Sequence, residues 1–136
     1  MDEKIKKFIA KHHLLSLATF GESLWCCSAF YVFDADAAVF ILASEEQTVH
    51  IQNSKLNTRV AGTIAHETKV VGKIQGIQFV GTISTVEDKR EKALYLKRFP
   101  YALAMNPMLW KIELETIKMT DNTLGFGKKL IWNREI

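Results

Sequence analysis

The chain has 136 residues, 48% of them apolar, with two prolines and a formal net charge of +3. Those totals fit a single domain over 1–136 that buries a real core, and they exclude a disordered chain. Acids and bases are interleaved and nearly balance, so no nucleic-acid partner is expected. The only cysteines, Cys26 and Cys27, are neighbours. In a strand they would face opposite ways, a poor geometry for a disulfide, and a chain without disulfides suits a reducing compartment. The N-terminus "MDEKIKKFIAKHH" has no apolar leader, and no apolar run approaches the ~20 residues of a membrane helix. The expectation is a cytoplasmic protein with no membrane partner.

Residues 2 to 13 place Ile5, Phe8, Ile9 and His12 at helical spacing. "LLSLATF" (14–20) reads as a strand, followed by a turn at Gly21-Glu22. "LWCCSAFYVF" (24–33) is a long strand, apolar on both faces, which predicts cover on both sides, as in a closed barrel or a dimer seam. "DADA" is turn chemistry, and "AVFILAS" (38–44) is a third strand. Ser44-Glu45-Glu46-Gln47 has the S-x-x-Q capping-box pattern, which predicts a helix from Glu45 to about Leu56 with Ser44 as its cap. "TRVAGTIA" (58–65) is a strand. Residues 67 to 87 read as a hairpin or bent strand pair with Gly72 and Gly76 at the turn or bulge. Asp88 and Glu91 open a helix that Pro100 ends. "YALAMNPM" is irregular or briefly helical, and "LWKIELETIKMTD" (109–121) alternates as a strand. Successive strands without regular βαβ alternation favour a small antiparallel barrel.

The tail "TDNTLGFGKKLIW" (120–132) invites comparison with phosphate-binding loops. Lys129 stands where a Walker A loop has its hydroxyl, and Asn122 where it has its first glycine. Leu130 breaks a G-x-G-x-x-G fingerprint. Two readings survive: Gly125 and Gly127 bend the backbone, or Lys128 and Lys129 meet an anion. The histidines, His12, His13, His50 and His66, show no H-x-x-x-H spacing, and no metal site is expected. Cys27 has no base beside it and reads as a small buried residue rather than a nucleophile. Glu113 and Glu115 share a strand face and would serve acid/base chemistry only in a cleft. No Ser-His-Asp constellation is visible. Ser44, Thr48 and His50 cluster at a strand-to-helix junction, where free N–H groups, hydroxyls and a protonated ring suit an anion. The alternative is that Ser44 only caps the helix.

The order of parts, with "LLSLATF", "VFILAS" leading into "EEQTVHIQNSKLNTRVAGTI", then "GIQFVGTIS", resembles the pyridoxamine 5'-phosphate oxidase-like, flavin-binding split-barrel superfamily. "FYVFDAD" and the tail narrow the resemblance to its YhbP-type bacterial branch. The resemblance implies an α+β fold, a split antiparallel β-barrel, assembled as a homodimer with two FMN sites at the subunit interface. Ser44 matches a threonine or serine of the phosphate site, Thr48 a serine and His50 a lysine, while Gln78 lies in a strand placed near the cofactor. The implied function is FMN binding, with an FMN-dependent oxidoreductase of unspecified substrate beyond it, since the flavin carries the redox chemistry. Basic residues of the oxidases are replaced by Cys26 and Val49, and His50 takes the lysine position. Each charge-assisted hydrogen bond lost this way is worth about 1.5–3 kcal/mol. Lys128 and Lys129 would restore charge if the tail folds toward Ser44. Other anionic small molecules, a cofactor-free dimeric interaction barrel, and a haem-binding barrel with His12, His13, His50 or His66 as axial ligand are the alternatives.

Overall fold

Ile5, Phe8 and Ile9 lie on one face of the first helix, α1 (Glu3–Lys11), and all three are buried in the computed structural model, which describes residues 1–136. Asp2 caps this helix by accepting from the Lys4 amide at 2.7 Å. The Tyr31 hydroxyl donates to the Ile9 carbonyl at 2.6 Å and ties α1 to the barrel.

Strands β1 (Leu14–Phe20), β2 (Leu24–Asp34) and β3 (Val39–Ala43) follow, then helix α2 (Val49–Leu56) and strands β4 (Arg59–Ala65) and β5 (Gln75–Thr85). Helices α3 (Lys89–Arg98) and α4 (Ala102–Met105) precede β6 (Leu109–Asp121) and β7 (Lys129–Asn133). All neighbouring strands are antiparallel. The order is β3-β2-β1-β4-β5-β6-β7, and a β3–β6 pairing closes six of them into a barrel with β7 as an added strand. The fold is therefore the α+β split barrel of the pyridoxamine 5'-phosphate oxidase-like class.

Inward side chains fill the barrel. Leu15, Leu17, Tyr31, Phe40, Leu42, Ile77, Phe79 and Ile117 belong to one core, which α1 joins through Phe8 and α2 through Ile51. Fully burying Ile51 stabilises by about 1.5–3 kcal/mol. Gly62 sits where a Cβ would lie 2.4 Å from the Phe79 ring and 2.2 Å from the Ser16 carbonyl, so the ring occupies the space a side chain would need. A second cluster forms outside, where Tyr95, Phe99 and Ala102 cover Val32, Val39 and Ile41. No helix is long and apolar enough to cross a membrane.

Three expectations change. Residues 67–74 form a loop with one 3-10 turn (Val71–Lys73), and only Gln75–Thr85 is strand. The partners of β5 are β4 and β6, so no local pairing holds residues 67–74 extended. Helix α2 begins at Val49 rather than Glu45. On the inward face of β2 Tyr31 is buried and Cys27, Ala29 and Phe33 are partly so, but Trp25 is 49% exposed; on the outward face Leu24 is 78% exposed and Phe30 47%, because α3 covers only the Val32 end. Toward Leu24 the second apolar face has no cover within one chain.

Candidate functional site

Strand β3 ends where its register with β6 reaches Ala43–Leu109. The Ser44 amide donates to the Met108 carbonyl at 3.1 Å, and Trp110 Nε1 donates to the Ser44 carbonyl at 3.0 Å. This pins the Ser44 backbone and leaves its hydroxyl directed at α2. Ser44 Oγ lies 2.6 Å from His50 Nε2 and 3.4 Å from Thr48 Oγ1, and Thr48 Oγ1 is 3.3 Å from the same ring nitrogen. The structure thus brings Ser44, Thr48 and His50 together.

The capping-box expectation is corrected at the same place. The Thr48 hydroxyl donates backward to the Glu45 carbonyl at 2.9 Å, which closes a turn over residues 45–48 and delays the helix. Thr48 becomes the N-cap residue but makes no side-chain cap bond, so the first-turn amides of α2 carry no side-chain partner. Ser44 bonds His50 instead of those amides. Burial lowers the His50 pKa below its ordinary value, so the ring is neutral at pH 7 and hydrogen-bonds the hydroxyl. Free amides, the Ser44 hydroxyl and the imidazole fit a phosphate or carboxylate as hydrogen-bond donors, and the Thr48 hydroxyl would join them only by turning from the Glu45 carbonyl. The permanent charge beside them is acidic: Glu45 and Glu46 are exposed, and Lys55 is engaged with Glu46 at 3.4 Å.

The remaining site candidates lie elsewhere. Gln78 points outward from β5, paired with Thr63 and Lys118, beside a surface groove of about 500 Å³ that Ala61, Thr63, Val80 and Lys118 also line. Sequence reasoning missed Thr63 and Lys118; the alternation of β4 and β6 was the available signal. Lys128 and Lys129 are exposed where β7 begins, and Lys129 pairs with Thr120. From Leu109, beside Ser44, to Thr120 the same strand runs roughly 35 Å at about 3.3 Å per residue. Within one chain the tail therefore does not fold toward Ser44, because β7 pairs with the far half of β6. Gly125 (φ 137°) and Gly127 (φ 73°) supply the bend, and Leu130 and Trp132 pack on the core, whereas Ile131 is 65% exposed.

His12 Nδ1 bonds the Phe8 carbonyl at 2.8 Å, and its ring meets His66 edge-on at 6.1 Å between centroids. His13 lies beside Phe30. No three of His, Cys, Asp and Glu gather in a metal-holding group. Burial, with a smaller contribution from Cys26, pushes the Cys27 thiol up to about 11, which disfavours a nucleophilic role. Glu115 is engaged by Arg59 at 2.7 Å and by the Thr82 hydroxyl at 3.1 Å, so it does not form an acid/base pair with Glu113.

Known proteins place the chain in context. It is 42% identical to a UPF0306 protein of Photorhabdus laumondii over 134 residues, covering 96% of this chain and 94% of that one. It is equally 42% identical to the UPF0306 protein YhbP of an Escherichia coli O127:H6 strain, with 96% of each chain covered. No family model matches. Among solved structures, a heme binding protein from Mycobacterium smegmatis superposes with a TM-score of 0.78 at 14% identity, over 96% of this chain and 57% of that one. The heme storage protein HutZ of Vibrio cholerae does so at 0.68 and 19%, over 84% and 89%. A FAD-binding protein from Mesorhizobium loti gives 0.68 at 13%, over 88% and 94%. At such identities these structures share the fold.

Proposed function

The chain belongs to the UPF0306 family of split-barrel proteins, and on that premise we propose that it binds FMN through its phosphate at Ser44, Thr48 and His50, as a homodimer in the cytoplasm. The convergence of those three side chains beside the uncapped first turn of α2 carries this reading. The barrel interior is filled by its own core, so a flavin would lie on the exterior, where β2 keeps an uncovered apolar face. Bound there, the flavin would supply hydride or electron transfer and make the protein an oxidoreductase. The chain's own part is to hold the phosphate with hydroxyls and amides, and to add a positive charge once His50 is protonated. Gln78 stands at the exterior groove as a contact for the ring portion. Lys128 and Lys129 reach the phosphate only from a second subunit.

The experiment is an FMN titration of the purified protein, followed by flavin fluorescence quenching. Saturable quenching below ~100 μM, weakened by Ser44→Ala with Thr48→Val, is the expected result. No binding at that concentration would refute the flavin reading. Haem is the second reading, favoured by solved split barrels that bind heme. Haem titration decides it: a Soret shift lost in His50→Ala, His12→Ala, His13→Ala or His66→Ala would support it. If neither ligand binds, another anionic small molecule or a cofactor-free interaction barrel is the remaining assignment.

A further inference from the structure

One end of the barrel carries two loops that hold each other and leave apolar side chains in solvent. The β4–β5 loop exposes Val70 (52%), Val71 (56%) and Ile74 (41%), and the β6–β7 hairpin exposes Leu124 (40%) and Phe126 (85%). Asn122 joins the two loops. Its side-chain amide donates to the Val71 carbonyl at 2.9 Å, its backbone amide donates to the Ile74 carbonyl at 2.9 Å, and its Oδ1 accepts from the Gly127 amide at 3.0 Å. Single exposed apolar residues are ordinary, but five on two joined loops form a patch that calls for a partner. Lysines flank it. Lys69, Lys73, Lys128 and Lys129 are all exposed, and Glu67 is the one exposed acid of the two loops, since Asp121 is buried and hydrogen-bonded. Helix α1 lies alongside: Lys4 is close enough to act on the Asp121 carboxylate, and the His12 ring meets His66. Lys4, Lys7 and Lys11 fall on one exposed flank of that helix.

The backbone of these loops is largely satisfied from within. In the first loop the Val70 amide donates to the Thr68 hydroxyl at 3.1 Å, the Lys73 amide to the Val70 carbonyl at 2.9 Å and the Ile74 amide to the Val71 carbonyl at 3.2 Å. In the hairpin the Thr123 amide donates to Asp121 Oδ1 at 2.9 Å, the Gly125 amide to the Asn122 carbonyl at 3.3 Å and the Lys128 amide to the Gly125 carbonyl at 2.9 Å. Loops that face only water have no need of such bonds, because water supplies partners. Loops that enter an apolar layer need them, because each amide stripped of water without a partner costs free energy.

A lipid surface meets all three observations. An acidic polymer would engage the lysines and leave Phe126 and the valines in water. The headgroup–acyl boundary of a bilayer admits protruding apolar side chains without needing a matching pocket, and its anionic headgroups attract the lysines beside them. We propose that this end of the barrel docks on an anionic phospholipid bilayer, with Phe126, Val70 and Val71 entering the boundary and the lysines meeting lipid phosphates. No helix is long and apolar enough to cross a membrane, so the contact is peripheral and reversible. The proposal goes beyond the flavin reading and does not rest on it, since the apolar tip takes no part in holding FMN.

The test sediments the full chain, without FMN, with phosphatidylcholine vesicles that contain or lack phosphatidylglycerol. Binding is expected only with the anionic lipid, and it should weaken as salt rises. Phe126→Ser should lower the affinity about tenfold or more, the loss of one inserted aromatic side chain. Its Tm should not move, because that side chain stands in solvent. Lys128→Glu with Lys129→Glu should also weaken binding about tenfold or more at low salt. In a Cys26→Ser background, Phe126→Cys carrying an environment-sensitive dye should shift its emission to the blue on anionic vesicles. No binding to phosphatidylglycerol vesicles, an unchanged affinity in Phe126→Ser, or an unshifted dye would overturn the proposal. Equal binding to polyglutamate would overturn it too, and would mark the surface as one for an acidic protein chain. Vesicle binding without FMN binding sinks only the flavin reading, and the reverse result sinks only this one.

Discussion

Ser44 Oγ sits 2.6 Å from His50 Nε2, the shortest contact of the cluster at the start of α2. The ring is buried enough to stay neutral, so the site's charge depends on pH. Because the folded state binds a proton on His50 less readily than the unfolded chain, this residue's stabilisation is full above the ordinary value near ~6.5. It is lost as pH falls through the lowered folded value. His50→Gln should flatten the fall in Tm between about pH 7 and pH 5, measured without ligand. A phosphate ligand should bind more tightly across the same window, since the protonated ring donates to it. His50→Lys should tighten it about tenfold or more at pH 7, the effect of a charge-assisted hydrogen bond.

Arg134 closes the barrel at the tail. Its Nε donates to the Leu114 carbonyl at 2.6 Å, its guanidinium donates to the Ala37 and Ala38 carbonyls at 2.9 Å each, and it stacks on Trp132 at 5.7 Å. Arg134→Ala should cost about 3 kcal/mol of unfolding free energy in urea, because charged donors make strong bonds and three carbonyls lose theirs. Arg134→Lys should recover less than half, since one ammonium cannot span three carbonyls as a planar fork does.

Glu91 is buried on α3, and Lys111 of β6 reaches it at 3.3 Å. Lys111→Met leaves that carboxylate without its partner and should destabilise by about 3 kcal/mol. Adding Glu91→Leu should restore most of the loss. A double variant no more stable than Lys111→Met would show that the pair itself, not the stranded charge, sets the cost.

Asp121 should make the fold acid-sensitive. Burial pushes its pKa up, but bonds from the Thr123 hydroxyl, the Gln75 amide and the Thr123 backbone amide outweigh it and hold the carboxyl below its ordinary value. With the folded value depressed, its stabilisation is present above about pH 4 and is lost as pH falls through the folded value. Asp121→Asn should lower stability at pH 7 by about 1–3 kcal/mol and remove this part of the acid transition, as seen in Tm against pH.

Most of the strands were legible from the amino-acid pattern, because apolar alternation reports which face meets a core. "LLSLATF" and "LWKIELETIKMTD" became β1 and β6 with their expected bounds. Misreadings came where local chemistry competed. Ser44 and Gln47 matched a capping box, yet the Thr48 hydroxyl bonded Glu45 and His50 offered Ser44 another partner. Residues 67–74 were apolar enough for a strand, but only a neighbouring strand can hold one extended, and none lies beside them.

By itself the sequence determined most of the barrel's strands, though not β7 or the loop over 67–74, and it placed Ser44, Thr48 and His50 at one junction while leaving the glycine bend and a lysine–anion contact as alternatives for the tail. Only the tertiary structure decided the distances between those parts. Backbone pairing with the far half of β6 carried Lys128 and Lys129 away from Ser44, and the reach of α3 left the outer face of β2 open at Leu24 and Phe30. Periodicity encodes which face of a segment is buried, whereas long-range pairing sets which segments meet.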